Sequence, residues 1–138
     1  MGIYWDGDFL SEILDGTVIS KWDWKNEKSN LIFDAKNFQC ESNNGTKKNP
    51  SLVADLFGDW REEVMYRTED NQELRIFSTA IPTKHRLYTL MHNPQYRLSI
   101  VWQNVGYNQP PHTDYYLDES VKETPKPKIF TVKPKIDN

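Results

Sequence analysis

The sequence predicts an all-β protein built from antiparallel blades of a β-propeller, and three observations predict it. First, a motif recurs. "GDFLSEIL" at residues 7–14 matches "GDWREEVM" at residues 58–65, sharing Gly, Asp, an aromatic, two variable positions, Glu and two apolar residues. Second, a strand-like run follows each copy after a turn: "DGTVISKWDW" from Asp15 and "EDNQELRIFST" from Glu69. Within the latter, Leu74 and Ile76 alternate with Arg75 and Phe77, which is strand rather than helix periodicity. Third, a period of about 50 residues holding about four strands is the size of a propeller blade. A chain of 138 residues holds about two to three such blades, whereas a closed propeller needs at least ~4. The expectation is therefore part of a larger propeller, with a β-sandwich or an unrelated meander as alternatives.

Taken in order, the first copy and the run after it form the first strand-rich segment. Residues 41–51, "ESNNGTKKNPS", are polar and stop just before an apolar run that begins near Leu52. Asn44-Gly45 within them is a strong hairpin or loop signal. The second copy and its following run repeat the pattern. A third strand-rich segment is expected from "HRLYTLMH", starting at His85, through "YRLSIVWQNV", ending at Val105. Pro50, Pro82, Pro94, Pro110 and Pro111 punctuate the chain. From about Glu119 the composition shifts to Lys, Pro, Glu and Thr. The reading is a folded unit over residues 3–118 and an extended, partly ordered tail over residues 119–138.

Composition excludes several classes. A formal net charge of -3 gives no basic footprint for nucleic acid. No stretch approaches ~18 apolar residues, so no membrane span is visible. Five Trp, seven Tyr and six Phe supply large core or stacking groups. Met1 and Gly2 run straight into Ile3-Tyr4-Trp5 without a signal peptide, a start that reads as a domain cut from a longer chain. A single cysteine, Cys40, excludes an internal disulfide and reads as a packed small hydrophobe.

Three stretches carry candidate chemistry. Asp6, Asp8 and Glu12 crowd the first repeat; Asp55, Asp59 and Glu63 crowd the second. Hard cations such as Ca²⁺ take several carboxylate and carbonyl oxygens from a tight loop. Neither copy has the full EF-hand spacing, and the plainer reading is turn caps with the repeated Glu paired to an Arg. In "WQNVGYNQPPH", residues 102–112, Asn104, Tyr107, Asn108 and Gln109 surround Gly106. Amide oxygens, carbonyls and a phenol suit Ca²⁺ or sugar hydroxyls; the alternative is a loop whose amides satisfy its own backbone. Lys47, in an amide-rich Gly turn, suits an anion nest or is a solvated lysine on a hairpin tip. His85, His92 and His112 show no metal-ligand spacing.

The strings "LFGDWREE" and "QNVGYNQPP" carry a resemblance. From about Asn43 to Tyr116 the chain closely resembles the C-terminal part of rhamnogalacturonan lyases of polysaccharide lyase family 11. "YWDGDFLSEILDGTVISKWDW" resembles the stretch just upstream. The resemblance implies the last two to three blades of an eight-bladed β-propeller. It implies cleavage of rhamnogalacturonan I, the rhamnose–galacturonate backbone of pectin, by β-elimination at galacturonate. It also implies structural calcium ions in the blades, calcium in the active centre, and a secreted or periplasmic setting. By the resemblance, Asn44, Gly45, Thr46 and Lys47 form the galacturonate-contacting loop and Tyr107 faces the substrate. Asn104, the carbonyl of Gly106, and Asn108 are implied as calcium ligands of the centre, with further ligands coming from blades this chain lacks.

The reaction makes clear demands. The galacturonate C5 proton is barely acidic, because its carboxylate is already negative. Its removal builds an enolate-like dianion that cations stabilise. Lys47 is placed to clamp the carboxylate or, if neutral, to act as base. Tyr107 is suited to hydrogen-bond the sugar or protonate the leaving oxygen. Two other classes stand beside the lyase: a non-catalytic, Ca²⁺-dependent polysaccharide-binding piece, and a structural propeller piece whose strand edges pair between copies. The expectation is a lyase in the longer protein and no turnover by this chain alone.

Overall fold

The computed structural model describes residues 1–105, 109–121 and 123–132. Its first sheet is a meander of β1 (Gly2–Ile3), β2 (Glu12–Asp15), β3 (Val18–Asp23) and β4 (Lys28–Asp34), paired antiparallel in chain order. Asp15 pairs with Val18, so Gly16 and Thr17 alone turn the chain. Gly16 sits at φ +60, the left-handed geometry that two-residue hairpins require. β4 leads into a 3₁₀ turn over Ala35–Phe38, capped by Asp34 accepting from the Lys36 N–H at 2.9 Å.

The second sheet is organised around β7 (Glu63–Thr68). β8 (Leu74–Phe77) lies along one edge of it. The other edge is shared by β5 (Cys40–Glu41) and β6 (Leu52–Ala54). The register makes this plain: Arg67 faces both Glu41 and Leu74, and Val64 faces both Val53 and Phe77. Residues 42–51 thus leave a strand position and rejoin the same edge, and an Asn43–Asn49 bridge closes the excursion at its root. Along β8, Leu74 and Ile76 are exposed while Arg75 and Phe77 are partly covered, the expected alternation.

Burial follows from these faces. One core lies between the sheets: Ile3, Trp5, Leu14 and Ile19 from the first meet Cys40, Val53, Val64 and Tyr66 from the second. The Tyr66 hydroxyl donates to the Gly16 carbonyl at 2.8 Å, tying the second sheet to the first hairpin. Cys40 is fully buried there, and burial pushes its thiol up; it packs as a small apolar group, as its sequence context suggests. A second core joins Phe9, Trp60, Leu90, Tyr96 and Leu117. In it the matching aromatics of the two repeats meet, with Phe9 and Trp60 ring centres 5.2 Å apart.

Among the described residues the chain is all-β with one short α-helix, and the helix is a correction. The third strand-rich segment is a 3₁₀ turn over Leu90–His92 and then helix α1 (Pro94–Trp102). Its aromatic and β-branched content favours strand, but the start signals win. Asn93 caps the helix by accepting from the Tyr96 N–H at 3.0 Å, and Pro94 takes the first turn, where its missing N–H costs nothing. Tyr96, Ser99 and Gln103 are buried at helical spacing. Among the described residues, those of the tail from Glu119 form neither helix nor strand. No described helix is long and apolar enough to cross a membrane.

Candidate functional site

The Lys47 loop is not a tight two-residue hairpin. Asn43 and Asn49 exchange backbone hydrogen bonds at 2.7 and 3.2 Å, and the Lys48 N–H donates to the Asn44 carbonyl at 2.7 Å. Asn44 and Lys48 adopt φ +56 and +48; asparagine tolerates that region better than most residues. Asn44, Gly45 and Thr46 are exposed, Lys47 is half-buried and Asn49 is buried. A Cβ on Gly45 would meet nothing within 4 Å, so the crown of the loop is open space.

The second candidate stretch lies against the first. The Asn49 side-chain amide donates to the Asn104 amide oxygen. Asn104 in turn donates to the Ser51 carbonyl at 3.2 Å. One residue earlier, the buried Gln103 accepts from the Val53 N–H at 2.8 Å and donates to the Val53 carbonyl at 3.1 Å. Two loops far apart in sequence therefore share a root. Of the residues singled out there, Asn104 is placed; Gly106, Tyr107 and Asn108 lie outside the described residues. Trp102 is half-buried at the end of α1.

The acidic loops share one device and differ in another. In the first copy, the Glu12 Oε2 accepts from the N–H groups of Trp5 and Asp6 at 2.7 and 3.2 Å. In the second, the Glu63 Oε2 accepts from Leu56 and Phe57 at 2.8 and 3.0 Å. Asp6, Asp8 and Glu12 bring three carboxylates within 4.8 Å of one another. That donor set has hard-cation chemistry, yet a cation is already there: the Lys21 ammonium lies 2.8 Å from Asp6, 2.7 Å from Asp8 and 2.7 Å from Glu12. Burial pushes the Lys21 amine down, but the hydrogen bonds it donates to the three carboxylates outweigh it and hold it above the ordinary lysine range. Burial lifts Glu12 above the usual carboxylate range, against the pull of Lys21.

Asp55, Asp59 and Glu63 are committed otherwise. Asp55 is buried and accepts from the Gly58 N–H (2.8 Å), the Thr89 hydroxyl (2.7 Å) and the Leu90 N–H (2.7 Å). Asp59 pairs with Arg61, and the Glu63 Oε1 accepts from Ser78 at 3.1 Å. The one group of three convergent metal-type ligands among the described residues is the first-repeat set that holds Lys21.

Sequence reasoning missed three groups. Lys21 had a signal: the β2–β3 register pairs Ile13 with Ser20, which puts Lys21 opposite Glu12. Glu62 is a variable position of the repeat, yet it is 1% exposed. It accepts from the Tyr96 hydroxyl at 2.6 Å and the Tyr4 N–H at 2.9 Å, and burial pushes its carboxyl up to about 7. Gln103 carries no local signal, because its partner Val53 is fifty residues away.

Known proteins now place the chain. It belongs to the rhamnogalacturonan lyase family 11 C-terminal domains, whose family description matches residues 1–127. It is 57% identical over 130 residues to rhamnogalacturonan endolyase YesW of Bacillus subtilis (strain 168), covering 94% of this chain and 21% of that protein. It is 53% identical over 136 residues to rhamnogalacturonan exolyase YesX of the same organism, covering 93% and 22%. The crystal structure of YesW superposes with a TM-score of 0.89 at 56% identity, over 96% of this chain and 22% of that one. A rhamnogalacturonan lyase structure from Bacillus licheniformis gives 0.88 at 55% identity, over 94% and 22%. The chain thus spans about a fifth of the length of the curated relatives it matches.

Proposed function

We propose that this domain supplies one wall of the active site of a rhamnogalacturonan lyase, which cleaves the rhamnose–galacturonate backbone of pectin by β-elimination. The observation that carries the reading is the Asn49–Asn104 contact. It sets the Asn44–Lys47 loop beside the segment that begins at Asn104, in a family whose relatives are named as rhamnogalacturonan lyases. The two four-stranded sheets are taken as the last blades of a larger propeller. A secreted or periplasmic setting goes with a polymeric plant substrate.

In this reading Asn44, Gly45 and Thr46 present hydrogen-bonding groups from an open crown, and Lys47 brings a positive charge to the galacturonate carboxylate. Proton loss at C5 builds a second negative charge on that carboxylate, so a fixed cation beside it favours the transition state over the ground state. Lys47 serves as the clamp, or as the base that takes the C5 proton; Tyr107 hydrogen-bonds the sugar or donates to the leaving O4. Calcium, when bound, supplies further charge stabilisation at the carboxylate. It would draw on Asn104, Gly106 and Asn108. The Asn104 amide oxygen keeps a lone pair beyond the one that accepts from Asn49, which fits a ligand role. At the first-repeat set of Asp6 and Asp8 the fit is to the resident ammonium of Lys21. For Asp55, Asp59 and Glu63 it is to the hydrogen bonds they already make.

The test uses a lyase containing this domain together with the remaining length of its relatives. Lys47→Ala is assayed on rhamnogalacturonan I with Ca²⁺, following the unsaturated uronate by ultraviolet absorbance. The expected loss is at least about 100-fold in kcat, as when a charge-stabilising group leaves an active site. Unchanged turnover with the fold intact removes Lys47 from the site. Turnover by the isolated domain would overturn the one-wall reading.

A further inference from the structure

We propose that Gln103 is a positioning residue for the lyase site, fixing the Lys47 loop against the segment that starts at Asn104. The inference rests on the functional reading above but concerns a residue that reading leaves unused. Gln103 is 2% exposed and so makes no contact with a bound polymer. Its side chain and its backbone do two separate things.

The side-chain amide takes both backbone groups of Val53, the N–H at 2.8 Å and the carbonyl at 3.1 Å. Val53 faces Val64 across the ladder. In an antiparallel pair the N–H and C=O of one residue point the same way, so those of Val53 point to the open side of β6. There the Gln103 amide stands in for one residue of a neighbouring strand. A buried edge otherwise leaves an orphan donor and acceptor. Its Nε2 also donates to the Ile100 carbonyl at 3.1 Å, fastening the side chain to its own helix.

The Gln103 carbonyl, meanwhile, accepts from the Gln109 N–H at 3.1 Å, bringing residues 103 and 109 together beside Asn104. The adjacent Asn104 extends the stitch to Asn49 and Ser51. On its far side the returning limb is held to β7 by the Ser51 N–H donating to Met65 at 2.8 Å. One residue therefore roots both loops, by its amide in one and its carbonyl in the other. A displacement of about 1 Å between two walls of a site is enough to cost about 100-fold in rate.

Two substitutions in the full lyase test this. Gln103→Met keeps length and neutrality and removes both Val53 bonds. Gln103→Glu keeps the shape, and its protonated form alone can donate to the Val53 carbonyl while accepting from the N–H. The expected result for Gln103→Met is faster hydrogen exchange at residues 43–53, at least a tenfold fall in kcat, and KM changed by less than about threefold. For Gln103→Glu the kcat loss shrinks as pH falls, a profile the wild type lacks. Unchanged exchange at 43–53 in both variants overturns the proposal, as does loosened exchange with wild-type kcat. The exchange readout needs no substrate, so failure of the lyase reading, seen as full activity in Lys47→Ala, is distinguishable from failure of the clamp.

Discussion

Two copies of one motif sit side by side in this chain and have diverged in charge while keeping their geometry. Each has a glycine at positive φ, Gly7 at +91 and Gly58 at +78. Each has a glutamate that accepts from two successive backbone N–H groups. Each buries its aromatic, and the two aromatics touch. Beyond that they part. The first copy adds Asp6, with the Lys21 ammonium between it and Asp8, the counterpart of Asp59. The second has Phe57 where the first has Asp6, pairs Asp59 with Arg61, and finishes its glutamate with Ser78. The shared part is what a turn needs to close, namely a left-handed residue and an acceptor for orphan donors. The carboxylate cluster is an embellishment of one copy, not a property of the repeat.

The largest break in that comparison is expected at Lys21. Lys21→Met leaves Asp6, Asp8 and the buried Glu12 without their cation, costing on the order of 3–5 kcal/mol. Ser78→Ala, its nearest counterpart in the second copy, removes one hydrogen bond from a neutral donor to a carboxylate and costs about 1.5–2 kcal/mol. Urea denaturation of both variants measures the difference, and equal costs would sink the claim that the copies have diverged in charge.

Next comes Glu62, from a position that the repeat leaves free. Its folded carboxyl is raised by burial to about 7 from the ordinary 4.5, so the folded state holds its proton where the unfolded state releases it. The penalty is absent below about pH 4.5, grows as pH rises, and is complete above about pH 7. It amounts to about 3 kcal/mol for this fully buried group. Denaturation midpoints should fall across that window, and Glu62→Gln should flatten the fall. An undiminished slope in the variant would assign the effect elsewhere.

The smallest contrast is between the two glycines. An alanine Cβ at Gly7 would come 2.8 Å from the Thr83 Cβ, and at Gly58 3.8 Å from the Thr89 Cβ. Gly58→Ala should cost about 1 kcal/mol from its positive φ alone. Gly7→Ala should cost about 1–2 kcal/mol more, because Thr83 is held by its hydroxyl donating to the Gly7 carbonyl at 2.6 Å. Thermal melts of the pair, read together, test whether one motif meets two environments.

The sequence was legible where its signals are local. The repeat, the hairpin at Gly16 and the alternation in β8 rest on neighbours in the chain. Helix α1 was missed although its Asn93-Pro94 start was in plain sight, because strand-favouring side chains filled the run after it. The candidate site was legible from its residues as two loops, and only the resemblance joined them at one substrate. That they meet depends on Asn49 and Asn104 touching across 55 positions, and on Gln103 reading the edge of β6. No composition or spacing encodes a side-chain amide that substitutes for a strand.

The excursion of residues 42–51 from one edge of β7 carries a consequence for how such domains diversify. Both of its ends are anchored in the same ladder, so the residues beyond the Asn43–Asn49 bridge bear no part of the sheet's load. A segment mounted that way is a cassette. Its length and tip can change by mutation or exchange while the frame beneath is inherited intact, which gives selection one surface to vary without renegotiating the fold.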